Sequence, residues 1–141
     1  MKFISNGSGD TYALGKMLGR ALEGGEIILA YGDLGAGKTA LAKGIAEGIG
    51  VSQIVNSPTF NIMKVYSGKK LNFYHIDAYR LEDPEAVNDI GFDEAIGNPD
   101  GVSFIEWPDF IKPYWEKEKK IITVRITILG LRKRLYEIEE R

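Results

Sequence analysis

Apolar residues recur at three- and four-residue spacing along residues 10–23, with Leu14, Met17, Leu18, Ala21 and Leu22 on one stripe. That period predicts an amphipathic helix. Ser8 or Asp10 stands where a cap belongs, and Gly24-Gly25 where the helix should stop. The pattern then changes. Residues 26–31 form a short apolar run, β-branched at Ile27 and Ile28, which predicts a buried strand. A glycine-rich turn runs from Gly32 to Gly37. After it, Leu41, Ala42, Ile45, Ala46 and Ile49 mark one face of a second helix, from Lys38 to about Ile49, ended by Gly50.

Residues 60–66 and 71–77 read as two strands joined at Ser67-Gly68-Lys69-Lys70, a hairpin. Asp83-Pro84 supplies a cap and a proline at the first helical position, so a short helix is expected to about Asp89. Asn98-Pro99-Asp100-Gly101 is a turn leading into the apolar strand Val102-Ser103-Phe104-Ile105-Glu106. Residues 121–129 alternate Ile122, Val124, Ile126 and Ile128 with Thr123, Arg125 and Thr127, a strand with two different faces. A last strand is expected from Arg134 to Ile138. Strands alternate with helices early and pair as hairpins later, which predicts an α/β chain with a mixed parallel/antiparallel sheet.

Composition narrows the picture. A chain of 141 residues corresponds to one domain, here residues 1–141, and neither a repeat nor a dividing linker is visible. Hydrophobic residues at 44% and charged residues at 27% are ordinary globular usage and argue against disorder. The net charge of −2 gives no basic excess for holding nucleic acid non-specifically. Cysteine is absent, which excludes disulfides, thiolate metal sites and a cysteine nucleophile. The longest apolar run, Ile27–Tyr31, is far below the roughly 20 residues of a membrane span. No signal peptide is read at the N-terminus, so a cytoplasmic protein is expected. Glycine is in excess, at 17 residues and with no period, and needs a local explanation.

Part of that explanation is Gly32-Asp33-Leu34-Gly35-Ala36-Gly37-Lys38-Thr39, a full match to G-x-x-x-x-G-K-[ST]. Backbone N–H groups wrap a phosphate chain only where side chains are out of the way. The helix that begins near Lys38 adds its N-terminal dipole. In this pattern the lysine meets the β- and γ-phosphates, and the Thr39 hydroxyl is placed to ligate Mg²⁺. The motif lies between an expected strand and an expected helix, as it must. The candidate nucleotide-binding residues are therefore Asp33, Leu34, Gly35, Ala36, Gly37, Lys38, Thr39 and Ala40. The guanine-reading N-K-x-D pattern does not occur, so ATP/ADP is the expected nucleotide.

Phosphoryl chemistry also needs a carboxylate near the metal and a group that orients the nucleophile. Asp77 and Glu106 each close an expected strand, and ligands of open α/β sheets gather beyond such strand ends. Ser57-Pro58-Thr59-Phe60 follows the second helix; Thr59, after a rigid proline, is a candidate switch-like hydroxyl. His75 shares a strand face with Asp77 and reads most simply as a packing histidine. Arg80 reads as a charge stabiliser or a surface arginine. Trp107 reads as core packing, a cover over the site, or a partner contact. Lys117, Lys119 and Lys120 read as a solvated face.

As a set, GDLGAGKT, Ser57-Pro58-Thr59-Phe60, His75-x-Asp77-x-Tyr79-Arg80 and Ile105-Glu106-Trp107-Pro108 resemble the TsaE family of bacterial P-loop ATPases, in order and spacing and over most of the chain. The resemblance implies a P-loop NTPase-like three-layer fold. It implies ATP binding and Mg²⁺-dependent hydrolysis that keep TsaD- and TsaB-like partners turning over as they make threonylcarbamoyladenosine on tRNA. The tRNA would be met only through that complex, and no membrane is involved. Residue by residue, Lys38 would bind phosphate, and Thr39 and Glu106 would sit at Mg²⁺. Asp77 would be a second acid, either beside the metal or positioning water. Thr59 would lie nearby, and Thr11 would hold nucleotide outside the loop. A C-terminal arginine, Arg134 or Arg132, would touch the nucleotide. Two rival functions stay open at this point: a small P-loop kinase acting on a small-molecule substrate, and a nucleotide-gated binding module.

Overall fold

A computed structural model of the chain describes residues 1–33, 35–56, 58, 62–79 and 91–141. The chain runs β1 (Lys2–Ser5), α1 (Ser8–Ala21), β2 (Ile27–Tyr31), α2 (Lys38–Gly48), β3 (Met63–Tyr66), β4 (Asn72–Asp77), α3 (Phe92–Ala95), β5 (Gly101–Glu106), a 3-10 turn (Pro108–Ile111), α4 (Lys112–Trp115), β6 (Ile121–Ile128) and β7 (Arg134–Glu140). The strands form one seven-stranded sheet in the order β1-β7-β6-β2-β5-β4-β3. Its centre, β6-β2-β5-β4, is parallel. The hairpins β3-β4 and β6-β7 and the β1-β7 pair make its antiparallel edges. This is the mixed α/β architecture expected from the pattern. No helix among the described residues is long and apolar enough to cross a membrane.

Alternation along the strands divides the core in two. Ile28, Ala30, Val102, Phe104, Ile122 and Val124 face α1 and α2, together with Leu14, Leu41 and Ile45. Ile27, Leu29, Ile105 and Ile121 face the other way and pack on Phe92, Ile111 and Trp115. β2 is thus apolar on both faces, which is why its sequence reads as a continuous apolar run. Full burial of each such side chain contributes about 1.5–3 kcal/mol.

Several local expectations shift. α1 begins at Ser8 with Gly7 at its cap position, and neither candidate side chain caps it. Asp10 instead accepts from the N–H of Asn6 at 2.9 Å, ahead of the helix. α1 ends at Ala21, two residues early, because Leu22 turns extended before the glycine pair. Lys120 is not simply solvated; its ammonium donates to the Gly24 carbonyl at 2.9 Å. β1, α3 and α4 are too short to carry a periodic signal. The helix expected from Asp83 lies outside the described residues.

The remaining glycine excess is explained by the α1-α2 seam. Gly15 and Gly19 of α1 face Gly44 and Gly48 of α2. A Cβ on Gly15 would come within 2.6 Å of the Leu41 carbonyl and 2.9 Å of the Gly44 Cα. A Cβ on Gly44 would run into the Tyr12 carbonyl. Both neighbours are backbone, so only separation of the helices relieves the clash.

Gly44→Ala is therefore expected to destabilise. Overpacking costs about 1–3 kcal/mol, against roughly 1 kcal/mol gained in helix propensity. Gly9→Ala, in the same helix pair but with nothing within 4 Å, isolates the propensity gain. Thermal melts of the two variants should move in opposite directions; equal shifts would remove the seam from the account of stability.

Candidate functional site

The loop between β2 and α2 carries the glycine-rich motif. Gly35 and Gly37 have φ of +77° and +109°, in the left-handed region that only glycine enters freely. Gly37 is the residue at which the chain turns into α2. It also lies close under Tyr136: a Cβ there would sit 2.6 Å from the phenol oxygen. Arg134 holds the loop from the other side, with Nε donating to the Ala36 carbonyl and Nη2 to the Gly35 carbonyl, both at 3.2 Å. Those carbonyls are committed to the guanidinium.

Lys38, the first residue of α2, is only 5% exposed. Its ammonium donates to the Gly32 carbonyl at 2.8 Å and lies 4.0 Å from the centroid of the Trp107 ring. Burial holds it below the ordinary lysine range, and the negative charges of Glu106, Asp77 and Asp33 oppose that shift. Trp107 reaches this position through an unusual backbone, φ 57° and ψ 52°. It is the one non-glycine residue with positive φ among the described residues.

The two strand-end acids come together in the sheet. Asp77 and Glu106 are register partners at the carboxyl ends of β4 and β5, and the neighbouring β2 runs directly into the loop. Both acids lie on the sheet face that α2 covers, since they alternate with Ile76 and Ile105 on the opposite face. Glu106 is buried. Asp77 accepts from the N–H of Tyr79 at 3.1 Å. His75, expected as a packing residue, is more: its Nε2 is 2.7 Å from Glu106 Oε2.

A cavity of about 690 Å³ opens beside the loop, lined by residues of the α1 start, the loop, Ala40 and the β6-β7 hairpin. Thr11, Arg132 and Arg134 all line it. Arg134 alone of the two arginines is seen to reach the loop carbonyls. Thr11 is buried, with its hydroxyl 2.8 Å from that of Ser5 and 2.9 Å from that of Tyr136. Its oxygen is therefore engaged within the wall.

Sequence reasoning missed Tyr136, the His75–Glu106 contact and the Trp107 conformation. Tyr136 carried no motif. The contact spans 31 residues of sequence. Pro108 biases its preceding residue toward extended backbone, so it pointed away from the left-handed geometry observed. Leu34, Ser57, Thr59 and Arg80 lie outside the described residues.

Chemically, the site offers an anion cradle at a helix start, a buried ammonium and hard oxygen donors. No group of three or more histidine, cysteine, aspartate or glutamate side chains able to hold a metal occurs among the described residues. Mg²⁺ does not need one: it takes one or two carboxylates, substrate phosphates and water. The carboxylates of Glu106 and Asp77, at adjoining strand ends, are donors of that kind.

Comparison with known proteins identifies relatives of the chain. The family profile described as threonylcarbamoyl adenosine biosynthesis protein TsaE matches residues 5–135. The tRNA threonylcarbamoyladenosine biosynthesis protein TsaE of Bacillus subtilis is 40% identical over 116 residues, covering 82% of this chain and 72% of that protein. The Treponema pallidum protein of the same name is 37% identical over 130 residues, covering 92% and 93%. The crystal structure of Bacillus subtilis YdiB superposes with a TM-score of 0.76 at 29% identity, covering 96% of this chain and 82% of that one. With a P-loop NTPase-like fold and a family match across nearly its whole length, the chain belongs to the TsaE family of tRNA threonylcarbamoyladenosine biosynthesis proteins.

Proposed function

We propose that this chain is an Mg²⁺-dependent ATPase whose nucleotide state drives turnover of a TsaD- and TsaB-like complex making threonylcarbamoyladenosine on tRNA. The observation that carries the reading is the convergence of Lys38, Glu106 and Asp77 at one sheet end. A buried ammonium under the electrostatic influence of three nearby acids is a site suited to a polyphosphate and its counter-ion. The family membership supplies the pathway.

In this reading the loop residues Asp33 to Gly37, with Lys38, Thr39 and Ala40, bind the phosphates of ATP. The nucleoside enters the cavity walled by Thr11 and Arg134. Thr39 and Glu106 hold Mg²⁺, which neutralises charge on the phosphates. Asp77 lies beside Glu106 and orients water or the metal's own waters. Thr59, outside the described residues, keeps its assignment as a candidate hydroxyl for the γ-phosphate. Lys38 moves from the Gly32 carbonyl to the phosphates, where its charge is better compensated. Phosphoryl transfer to water needs positioning and electrostatics, with no covalent intermediate on the protein. Partner docking then follows the state of the loops around the nucleotide.

Lys38→Ala should abolish hydrolysis and most nucleotide affinity, read by phosphate release and by calorimetry with ADP. Wild-type turnover in that variant would sink the assignment. Glu106→Gln keeps the side-chain shape and removes the charge. It should bind ATP yet lose roughly a hundredfold or more in turnover, in the range seen when a single electrostatic group is removed. Normal turnover with normal Mg²⁺ dependence would remove Glu106 from the site. Hydrolysis by the wild type should rise when the TsaD- and TsaB-like proteins are added; an unchanged rate would separate the ATPase from the partner claim.

A further inference from the structure

His75 is the single histidine of the chain and one of its most deeply buried polar residues, at 0% exposure. It lies on β4 opposite Phe104 of β5. Glu106 is two residues further along β5, so the two side chains meet diagonally on one face of the sheet. The Nε2–Oε2 distance of 2.7 Å is that of a charge-assisted hydrogen bond. The ring is fixed from two sides, by Phe73 at 5.8 Å and by the edge-on Phe104 at 5.5 Å. Its other nitrogen, Nδ1, has no hydrogen-bond partner.

That orphan decides the tautomer. A buried N–H without an acceptor costs the full desolvation of a donor. A carboxylate accepts only, so the hydrogen belongs on Nε2, where Glu106 takes it. Nδ1 is then a bare acceptor among phenyl rings.

We propose that His75 is a positioning residue for Glu106. It donates Nε2–H to Oε2, fixes the carboxylate rotamer, and leaves Oε1 as the oxygen not engaged by the ring, for a hydrated divalent cation held with the nucleotide. This rests on the reading of Glu106 as the metal-side acid. A histidine that holds a ligating carboxylate acts through it, and loss of such support typically costs ten- to hundredfold in metal affinity or activity. The aromatic walls serve the same end, since a ring free to turn would not fix the acid.

The test has two independent arms. Long-range ¹H–¹⁵N spectra of the wild-type protein report the tautomer directly, because there is only one imidazole to assign. Nε2–H is expected; an Nδ1–H tautomer overturns the proposal. The second arm titrates Mn²⁺ into the ADP complex, followed by electron paramagnetic resonance, in His75→Leu and His75→Gln. Leucine removes the donor; the glutamine amide places a donor near the Nε2 position. His75→Leu should weaken Mn²⁺ ten- to hundredfold with metal-free ADP binding unchanged, and His75→Gln should restore most of the loss. His75→Met, also donor-free and unbranched, takes the place of leucine should that variant not fold. Lowered melting temperature with wild-type Mn²⁺ binding would make His75 a packing residue only and overturn the proposal. A wild-type protein that binds neither ADP nor Mn²⁺ would bring down the nucleotide–metal reading, and this inference with it. Wild-type binding of both, with His75 variants indistinguishable from it, would bring down this inference alone.

Discussion

A buried ammonium is the constraint around which this molecule is arranged. Lys38 has little access to water, and an isolated charge in such a place is costly unless something answers it. The Gly32 carbonyl takes one of its hydrogens, the face of Trp107 lies over it, and the charges of Glu106, Asp77 and Asp33 favour its protonated form. These partners come from several separate stretches of the chain. The loop, the ends of β4 and β5, and the turn after β5 must all be in place before the ammonium is compensated. The Trp107 backbone fits this view. A non-glycine residue held in a sparsely populated region costs of order 1–3 kcal/mol. A desolvated cation–π contact returns an amount of similar size, up to about 2 kcal/mol, and Tyr79 supports the indole with a ring contact at 5.0 Å.

The parallel sheet does the rest of the positioning. Asp77 pairs with Glu106 in register, and Glu106 with Ala30 of β2. One residue of slip between β4 and β5 would turn every side chain of one strand to the opposite face. His75 would then leave Glu106, and Asp77 would leave the α2 side. The register is specified by the core on both faces: Phe73 and Phe104 sit in one cluster and Ile76 and Ile105 in the other. The apolar alternation that folds the sheet is the same alternation that aims the acids.

Legibility in the sequence follows the range of the interactions. The helices α1 and α2, the strand β2 and the hairpins were readable because their periods are local. The glycine-rich loop was readable because its glycines, lysine and threonine fall within eight residues and sit between a strand and a helix. Asp77 and Glu106 were found as strand-end acids, a local feature, although their pairing required the sheet order. Tyr136, His75 and Trp107 differ in kind. Tyr136 matters because β7 folds back beside β6 and brings its hydroxyl to Thr11 and Gly37. His75 matters because β5 lies next to β4. Trp107 matters because its left-handed backbone overrides the extended preference that Pro108 imposes. β1 was invisible for the same reason: four residues gain strand character only from the edge of β7.

The glycine seam joins the stability of the fold to the shape of the cavity. Residues Gly7, Ser8, Gly9 and Thr11 wall the cavity on one side, and Gly35 to Gly37 with Ala40 on the other. The first group belongs to the α1 start and the second to the loop and the α2 start. The distance between them is set by how closely the helices approach along Gly15, Gly19, Gly44 and Gly48, where backbone meets backbone. Larger residues on that seam would separate the helices, and the two walls would separate with them. The hydroxyl chain Ser5–Thr11–Tyr136 crosses from α1 to β7 and ends against Gly37, so the sheet edge is tied to the same spacing. Glycine is abundant in this chain for two physical reasons. In the loop it supplies backbone conformations that other residues resist, and along the helices it supplies an absence of volume. Both reasons converge on the same cavity.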